Sequence, residues 1–438
     1  MQDKPVKIAV IGFGTVGAGV VRIIQQQAEH MFNKTGIRLE LAHVVDTDLD
    51  RRRSVELPAG VLHGDFGRVL ADKQVAIAVE LVGGTGIACE IHKKLLAAGK
   101  DVVTANKALL AERGEEIYGT AREHGRCVAF EASCCGGIPL IGAIRTGLAA
   151  NRISAMYGIV NGTCNYILSA MSNEKKGYDV ALREAQTAGF AESDPTLDVN
   201  GSDSAHKLVI LATLAFGRQV KHEDISIQGV DQIQLADINY GREMGYAMKL
   251  LAIAEQTPRG LSLRVHPSFI SRDEPLAQVA GPFNGVSIFG SAVGHTSYYG
   301  RGAGMMPTAS AVVADILEVA QGNSGRTFAA TLGLGRPAPS GELCAAADVV
   351  SRFYLRLSAI DRPGVLARIA RVLGENQISI SAFLQHESES ADSVPVVLMT
   401  HGAIQGNMNR ALEQLEKLEV VKAKPICIHV VTPPLDEQ

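Results

Sequence analysis

The 438 residues contain no Cys-x-x-Cys pair, and the seven cysteines, Cys89, Cys127, Cys134, Cys135, Cys164, Cys344 and Cys427, are odd in number and scattered. That argues against a disulfide framework and against a structural zinc site. A surplus of positive charge is missing too: 42 Lys and Arg against 46 Asp and Glu give a formal net charge of -4. Without a concentrated positive field, nucleic acid is not expected as a partner. No apolar run reaches the ~18 residues needed to span a bilayer, and Val6-Lys7-Ile8-Ala9-Val10-Ile11 leaves no cleavable apolar leader before it. The expected setting is the cytoplasm, with no membrane contact. Repeats and low-complexity tracts are absent as well. With 46% hydrophobic and 20% charged residues there is material for packed cores and no signature of disorder. At roughly 100 to 200 residues per domain, the length implies about three domains.

What is present is an alternation of short β-branched runs with amphipathic stretches over the first 130 residues. Lys7–Ile11, Leu39–Val45, Val75–Val82, Asp101–Thr104 and Cys127–Phe130 read as strands, and strands alternating with helices imply a doubly wound parallel sheet of Rossmann type. From Ile153 the pattern changes to a strand, long helices around Asn165–Gly189 and Ser202–Phe216, and further strands, an α+β domain for substrate and oligomerisation. Met306–Gln321, with Pro near its start, is expected to fold back onto the first domain. The Pro/Gly/Ala-rich stretch Gly335–Ala347 reads as a linker, and Phe353–Val431 spells strand, helix, strand, strand, helix, strand, a ferredoxin-like βαββαβ order. The expected bounds are 1–135, completed by about 305–330, then 136–304, a linker at 335–350, and 351–438.

Gly12-Phe13-Gly14-Thr15-Val16-Gly17 follows the first strand and opens a helix. In that context the glycines allow a tight turn and close backbone approach, and the helix N–H groups face a pyrophosphate, so a dinucleotide is expected. Asp46, ending the second strand, suits a ribose hydroxyl and favours NAD; Arg51-Arg52-Arg53 permit NADP. Three more strand ends carry Gly83-Gly84-Thr85-Gly86, Thr104-Ala105-Asn106-Lys107, and Glu131 with Ser133-Cys134-Cys135-Gly136-Gly137. Ligands lie beyond the carboxyl ends of such strands, so all three should border one cleft. The densest constellation runs from Gly189 to Lys207 and holds Glu192, Asp194, Asp198, Asp203, His206 and Lys207. Asp203 and Lys207 are four apart on a helix whose continuation is almost wholly apolar, which points the pair into a cleft rather than into solvent.

The phrases EASCCGGIPLI, GIVNGTCNYIL, GFAESDPTLDVNGSDSAHKLVIL, VTANKALL and YYGRGAGMMPTASAVVADI resemble homoserine dehydrogenase over roughly residues 5 to 340, and residues 351 to 431, with Asp361-Arg362-Pro363-Gly364-Val365-Leu366, resemble an ACT domain. The resemblance implies reduction of L-aspartate 4-semialdehyde to L-homoserine with NAD(P)H, in threonine, methionine and isoleucine biosynthesis. Lys207 matches the catalytic lysine, the proton donor to the aldehyde oxygen. Glu192 and Asp203 match substrate carboxylates, with Asp198 a further one; Lys107 matches a lysine at the cofactor and substrate junction. Gly189, Gly302 and Glu192 match positions beside the cofactor. A monovalent cation, sodium in most members, is implied at Glu131, Cys134, Gly136 and Ile138, where the Cys134-Cys135 pair departs from the usual small residues. The ACT segment implies a homo-oligomer, dimer or tetramer, and threonine feedback, with Asn376 a candidate effector contact.

Two other readings compete. Cys134 or Cys135 as a thiolate nucleophile would make a semialdehyde dehydrogenase, since a helix N-terminus lowers a thiol pKa. A non-catalytic amino-acid sensor with a vestigial nucleotide fold is the other.

Overall fold

The computed structural model describes residues 4–386 and 393–434, so the expected outermost bounds, residues 1 and 438, lie outside the described residues. The N-terminal sheet contains β1 (Val6–Ile11), β2 (Leu39–Val45), β3 (Leu62–His63), β4 (Val75–Glu80), β5 (Asp101–Thr104) and β6 (Val128–Ala129) in the order β3-β2-β1-β4-β5-β6. Every pairing is parallel, as expected of near-continuous apolar strands covered on both faces by helices. β4 stops two residues short of the expected Val82. The cause is local: Glu80 turns its carboxylate back onto the N–H groups of Val82 and Gly83, which ends strand pairing there. The Met305–Ala320 helix returns to this sheet and crosses the Thr15–Gln26 helix. Their contact is so close that a Cβ on Gly19 would lie 2.9 Å from that of Ala309.

The second sheet collects β7 (Ile153–Ile159), β8 (Ser226–Ile227), β9 (Tyr246–Thr257), β10 (Gly260–Ser271), β11 (Phe283–Gly290) and β12 (Gly294–Arg301), and continues through β13 (Val350–Ala359), β14 (Ile380–Leu384), β15 (Val394–Thr400), β16 (Ala403–Ile404) and β17 (Ile426–Val431). Its order is β12-β11-β7-β9-β10-β17-β13-β15-β14, with β8 on β10 and β16 on β13. Strands β13, β14, β15 and β17, with the Val365–Glu375 and Gln405–Glu416 helices, form the βαββαβ unit, whose own core includes Phe353, Leu355, Ile369, Leu398 and Leu415.

This unit does not hang from a tether. β17 pairs in parallel with β10, Ser268 opposite His429 and Ile270 opposite Val431. The Pro/Gly/Ala-rich stretch is itself pinned, the N–H of Leu261 donating to Glu342 O (2.9 Å) and that of Cys344 to Leu261 O (3.0 Å). Gly260, at φ +115, lets Glu342 approach to a distance that a Cβ would forbid. A second tie runs through Asp237, fully buried on the Leu235–Glu243 helix, which accepts from Tyr354 Oη (3.0 Å) and Arg356 Nε (2.6 Å) on β13. Composition gave no sign of either tie. No helix among the described residues is long and apolar enough to cross a membrane.

Candidate active site

The glycine-rich turn has the shape that the expectation requires. Gly12 sits at φ +97, and a Cβ there would meet Leu81 C at 2.7 Å; a Cβ on Gly17 would meet Gly12 O at 2.2 Å. Gly14 caps the Thr15–Gln26 helix without any side-chain hydrogen bond, leaving the first-turn N–H groups, those of Thr15 and Val16 among them, available to an anion. Asp46 accepts from Phe13 N–H through Oδ2 (2.6 Å) and from Asp48 N–H through Oδ1 (2.9 Å). Burial works to raise its pKa, but these two bonds and Arg53, 3.4 Å away, hold it below the usual carboxylate range. Arg53 is no free arginine. Its Nε donates to Phe13 O (2.9 Å), its Nη1 to Arg51 O (2.9 Å), and its guanidinium lies 4.8 Å above the Phe13 ring.

Across the cleft, the Ser202–Phe216 helix starts after Gly201, at φ +90, and packs an apolar body, so its first two turns project Asp203 and Lys207 inward. Lys207 Nζ lies 2.7 Å from Asp203 Oδ2 and donates to Val160 O at 2.6 Å. With Asp203 8% and Lys207 9% exposed, this is not the solvated pair common on helices. Lys107 Nζ, from the end of β5, reaches the other oxygen of Asp203 at 3.1 Å. One carboxylate therefore stands between two ammonium groups. Burial disfavours the charge on Lys207, but Asp203 outweighs it and raises the lysine pKa; reciprocally, the two lysines and Asn161 hold Asp203 far below the carboxylate range against its own burial.

Asn161 was invisible to the sequence reading as a site residue. Its Nδ2 donates one hydrogen to Asp203 Oδ2 (2.8 Å) and one to Asp198 Oδ1 (2.7 Å), while its Oδ1 caps the Gly162–Glu174 helix by accepting from Cys164 N–H. The signal available was the Asn preceding a helix start, which predicts a cap but not the two acids. Asp198 also accepts from Thr163 Oγ1 (3.1 Å). Glu192 stands apart: it is exposed, its carbonyl accepts from Gln186, and its side chain makes no hydrogen bond to Asp203 or Lys207. Gly189 takes φ +75 with open space around it, and Gly302 lies against Asn284, whose amide a Cβ would strike at 2.2 Å.

The turn after β6 opens with Glu131. Glu131 accepts from Ile141 N–H (2.8 Å) and Gly142 N–H (2.7 Å), and its own N–H donates to Asp315 (2.7 Å). Burial raises the pKa of Glu131 and pushes that of Asp315 up to about 8. The guanidinium of Arg145 lies near both acids and favours their charged forms. Glu131 and the main-chain carbonyls of Cys134, Gly136 and Ile138 are oxygen ligands of the kind a hard monovalent cation takes, so the residues present fit such an ion. Among the described residues no group of three or more His, Cys, Asp or Glu side chains could hold a metal ion.

The thiolate reading fails on burial. Cys134 and Cys135 are 0% and 1% exposed, and desolvation raises both thiol pKa values, the opposite of an activated nucleophile. Cys135 Sγ instead lies 3.3 Å from Asn284 Nδ2, which donates to it. Asn376 is also committed elsewhere, its amide donating to Val372 O and Gln414 Oε1 between the two helices of the βαββαβ unit.

Comparison with known proteins agrees with this arrangement. Residues 12–131 match the homoserine dehydrogenase NAD-binding domain, 139–317 match homoserine dehydrogenase, and 353–420 match the ACT domain. A homoserine dehydrogenase of Pseudomonas aeruginosa is 42% identical over 438 residues, spanning 98% of this chain and 99% of that protein. One from Neisseria gonorrhoeae is 39% identical over 426 residues, 97% of this chain and 98% of that protein. Among solved structures, a homoserine dehydrogenase from Thiobacillus denitrificans superposes with TM-score 0.91 at 40% identity over 98% of both chains. A hyperthermophilic archaeal homoserine dehydrogenase in complex with NADPH gives TM-score 0.60 at 26% identity, covering 72% of this chain and 98% of that one. The amino-acid sensor without catalysis is accordingly not favoured. The chain belongs to the homoserine dehydrogenase family of NAD(P)-dependent oxidoreductases and carries an ACT domain at its C-terminal end.

Proposed function

We propose that this chain reduces L-aspartate 4-semialdehyde to L-homoserine with Lys207 as the proton donor. The observation that carries this is the buried Lys207–Asp203 pair at 2.7 Å, facing the strand ends that receive the dinucleotide. When bound, NAD(P)H supplies hydride to the aldehyde carbon. Lys207, its pKa raised by Asp203, stays charged through neutral pH and gives a proton to the aldehyde oxygen as negative charge develops there. In the oxidative direction the same lysine must be neutral to accept that proton, so oxidation of homoserine is favoured by alkaline pH and reduction is not.

Asp203 holds both ammonium groups toward the substrate, and Lys107 stands at the cofactor junction. Asp198 and Glu192 flank the substrate's own ammonium, Glu192 closing from its exposed loop together with Gly189, and Gly302 bounds the cofactor side. The Gly12–Gly17 turn holds the pyrophosphate. Asp46, with Arg53 locked against Phe13 rather than free for a 2'-phosphate, favours NAD(H) over NADP(H). The Glu131 turn, with Cys134, Gly136 and Ile138, holds a monovalent cation. The domain bounds given from the sequence, a cytoplasmic setting, a dimer or tetramer, and threonine feedback through the ACT domain complete this reading.

The test is Lys207→Ala in the full chain, with steady-state reduction measured using NADH and NADPH. A loss of about 10²- to 10⁴-fold in kcat is expected, with NADH the better cofactor for wild type. A folded variant with near-wild-type kcat removes Lys207 from proton transfer.

A further inference from the structure

Glu80, His92 and Thr104 are all 0% exposed, and none of them belongs to the site described above. A carboxylate so deep is costly unless each oxygen is satisfied. Here each accepts two hydrogen bonds. Oε1 takes the N–H groups of Val82 (2.7 Å) and Gly83 (3.1 Å); Oε2 takes Thr104 Oγ1 (2.9 Å) and His92 Nε2 (3.0 Å). Because an ionised Glu80 only accepts, His92 carries its proton on Nε2, and its buried Nδ1 has no partner. Burial favours protonation of Glu80, yet the His92 bond and the donors around it hold its pKa below the ordinary value.

From Thr104 the bonds continue. Thr104 Oγ1 accepts from Asn106 N–H (3.0 Å), Asn106 Nδ2 donates to Gly84 O (2.8 Å), and Asn106 Oδ1 accepts from Leu109 N–H to cap the helix that opens with Lys107. The path from Glu80 through Gly83 and Gly84 to Asn106, Thr104 and back is a closed ring. One arc is the turn after β4, at a strand end where a dinucleotide is expected, and the other is the turn after β5, which delivers Lys107 to Asp203.

We propose that Glu80, Thr104 and Asn106 are positioning residues that lock the Gly83–Gly84 turn and the Lys107 helix start into one rigid piece, so that cofactor and Lys107 are placed by a single element. The inference rests on the reading of Lys107 as a residue of the cofactor and substrate junction. It predicts that Thr104 acts through Lys107.

The experiment is a double-mutant cycle in the full chain between Thr104→Val and Lys107→Ala, read as kcat and KM for semialdehyde and NAD(P)H. Thr104→Val is expected to lower kcat/KM about tenfold, Thr104→Ser to restore most of it by supplying the hydroxyl again, and Thr104→Val to cost less than about twofold more once Lys107 is alanine. Should Thr104→Val fold poorly, Asn106→Ser keeps a capping hydroxyl while dropping the Gly84 contact, and its expected signature is a rise of several-fold in KM for NAD(P)H. Wild-type kinetics for Thr104→Val, or losses that multiply in the double variant, overturn the proposal and leave Lys107 where it stands. Wild-type kinetics for Lys107→Ala instead overturn the reading beneath it.

Discussion

Two buried polar clusters of this chain treat charge in opposite ways. In the cleft, Asp203 lies within 3.1 Å of two lysines, and Asp203 and Lys207 hold each other ionised. At the junction of β10 and β17, His266 stacks on His429 with ring centroids 3.9 Å apart, and burial together with nearby Arg264 keeps both neutral. The contrast teaches what each place is for. A cleft that transfers protons needs a donor already charged, held so by a partner of opposite sign. A seam that joins two units keeps its stacked histidines uncharged and supplies its buried acid, Asp237, with Arg356 directly.

The comparison breaks most visibly in the cleft. Asp203→Asn removes the acid that overrides the desolvation of Lys207, so the lysine pKa falls and the alkaline limit of reduction moves to lower pH. A drop in kcat of about 10²-fold or more is expected from steady-state rates across pH. An unmoved limb would separate Lys207 from the titration. In the seam, Arg356→Met leaves Asp237 buried without its cation, which costs about 3 kcal/mol. Denaturant unfolding followed by fluorescence checks this, and a midpoint equal to wild type would show the tie to be idle. The finest effect is acid sensitivity. His429 has a folded pKa depressed to about 3 and His266 one well below 6.5. The unfolded chain therefore binds more protons below pH 6.5, and the stability these residues allow at neutral pH is lost as pH falls from there toward 3. His429→Gln should remove up to about 2 kcal/mol of the wild-type loss between pH 7.5 and 5; parallel pH profiles for the two proteins would exonerate the stack.

Much of the cleft was legible beforehand, for reasons that lie in spacing. Asp203 and Lys207 sit four apart at the head of an apolar helix, and Gly12, Gly14 and Gly17 follow a strand; each is a short-range pattern tied to one geometry. Asn161 and Glu80 escaped because their partners are distant in sequence: Asp203 lies 42 residues from Asn161, and Thr104 lies 24 from Glu80. Nothing in a single line of residues reports which distant strand end faces which. The same holds for the joining of β10 to β17, the last strand of the βαββαβ unit. Gly335–Ala347 looked like a loose connector because its composition is that of one, and only the close approach at Gly260 shows that it is fastened. Glu192, which family likeness puts beside the substrate, lies on an exposed loop, and no short-range pattern in the sequence foretells that exposure.

The parallel pairing of β10 with β17 has a mechanical consequence. Main-chain pairing at Ser268, Phe269 and Ile270 makes the two units one continuous sheet, so the C-terminal unit is fastened along a strand as well as through its connector. That sheet runs from β17 through β10 and β9 to β7, and Val160, the residue just past β7, offers the carbonyl that accepts from Lys207, so an unbroken ladder of main-chain bonds links the βαββαβ unit to the cleft.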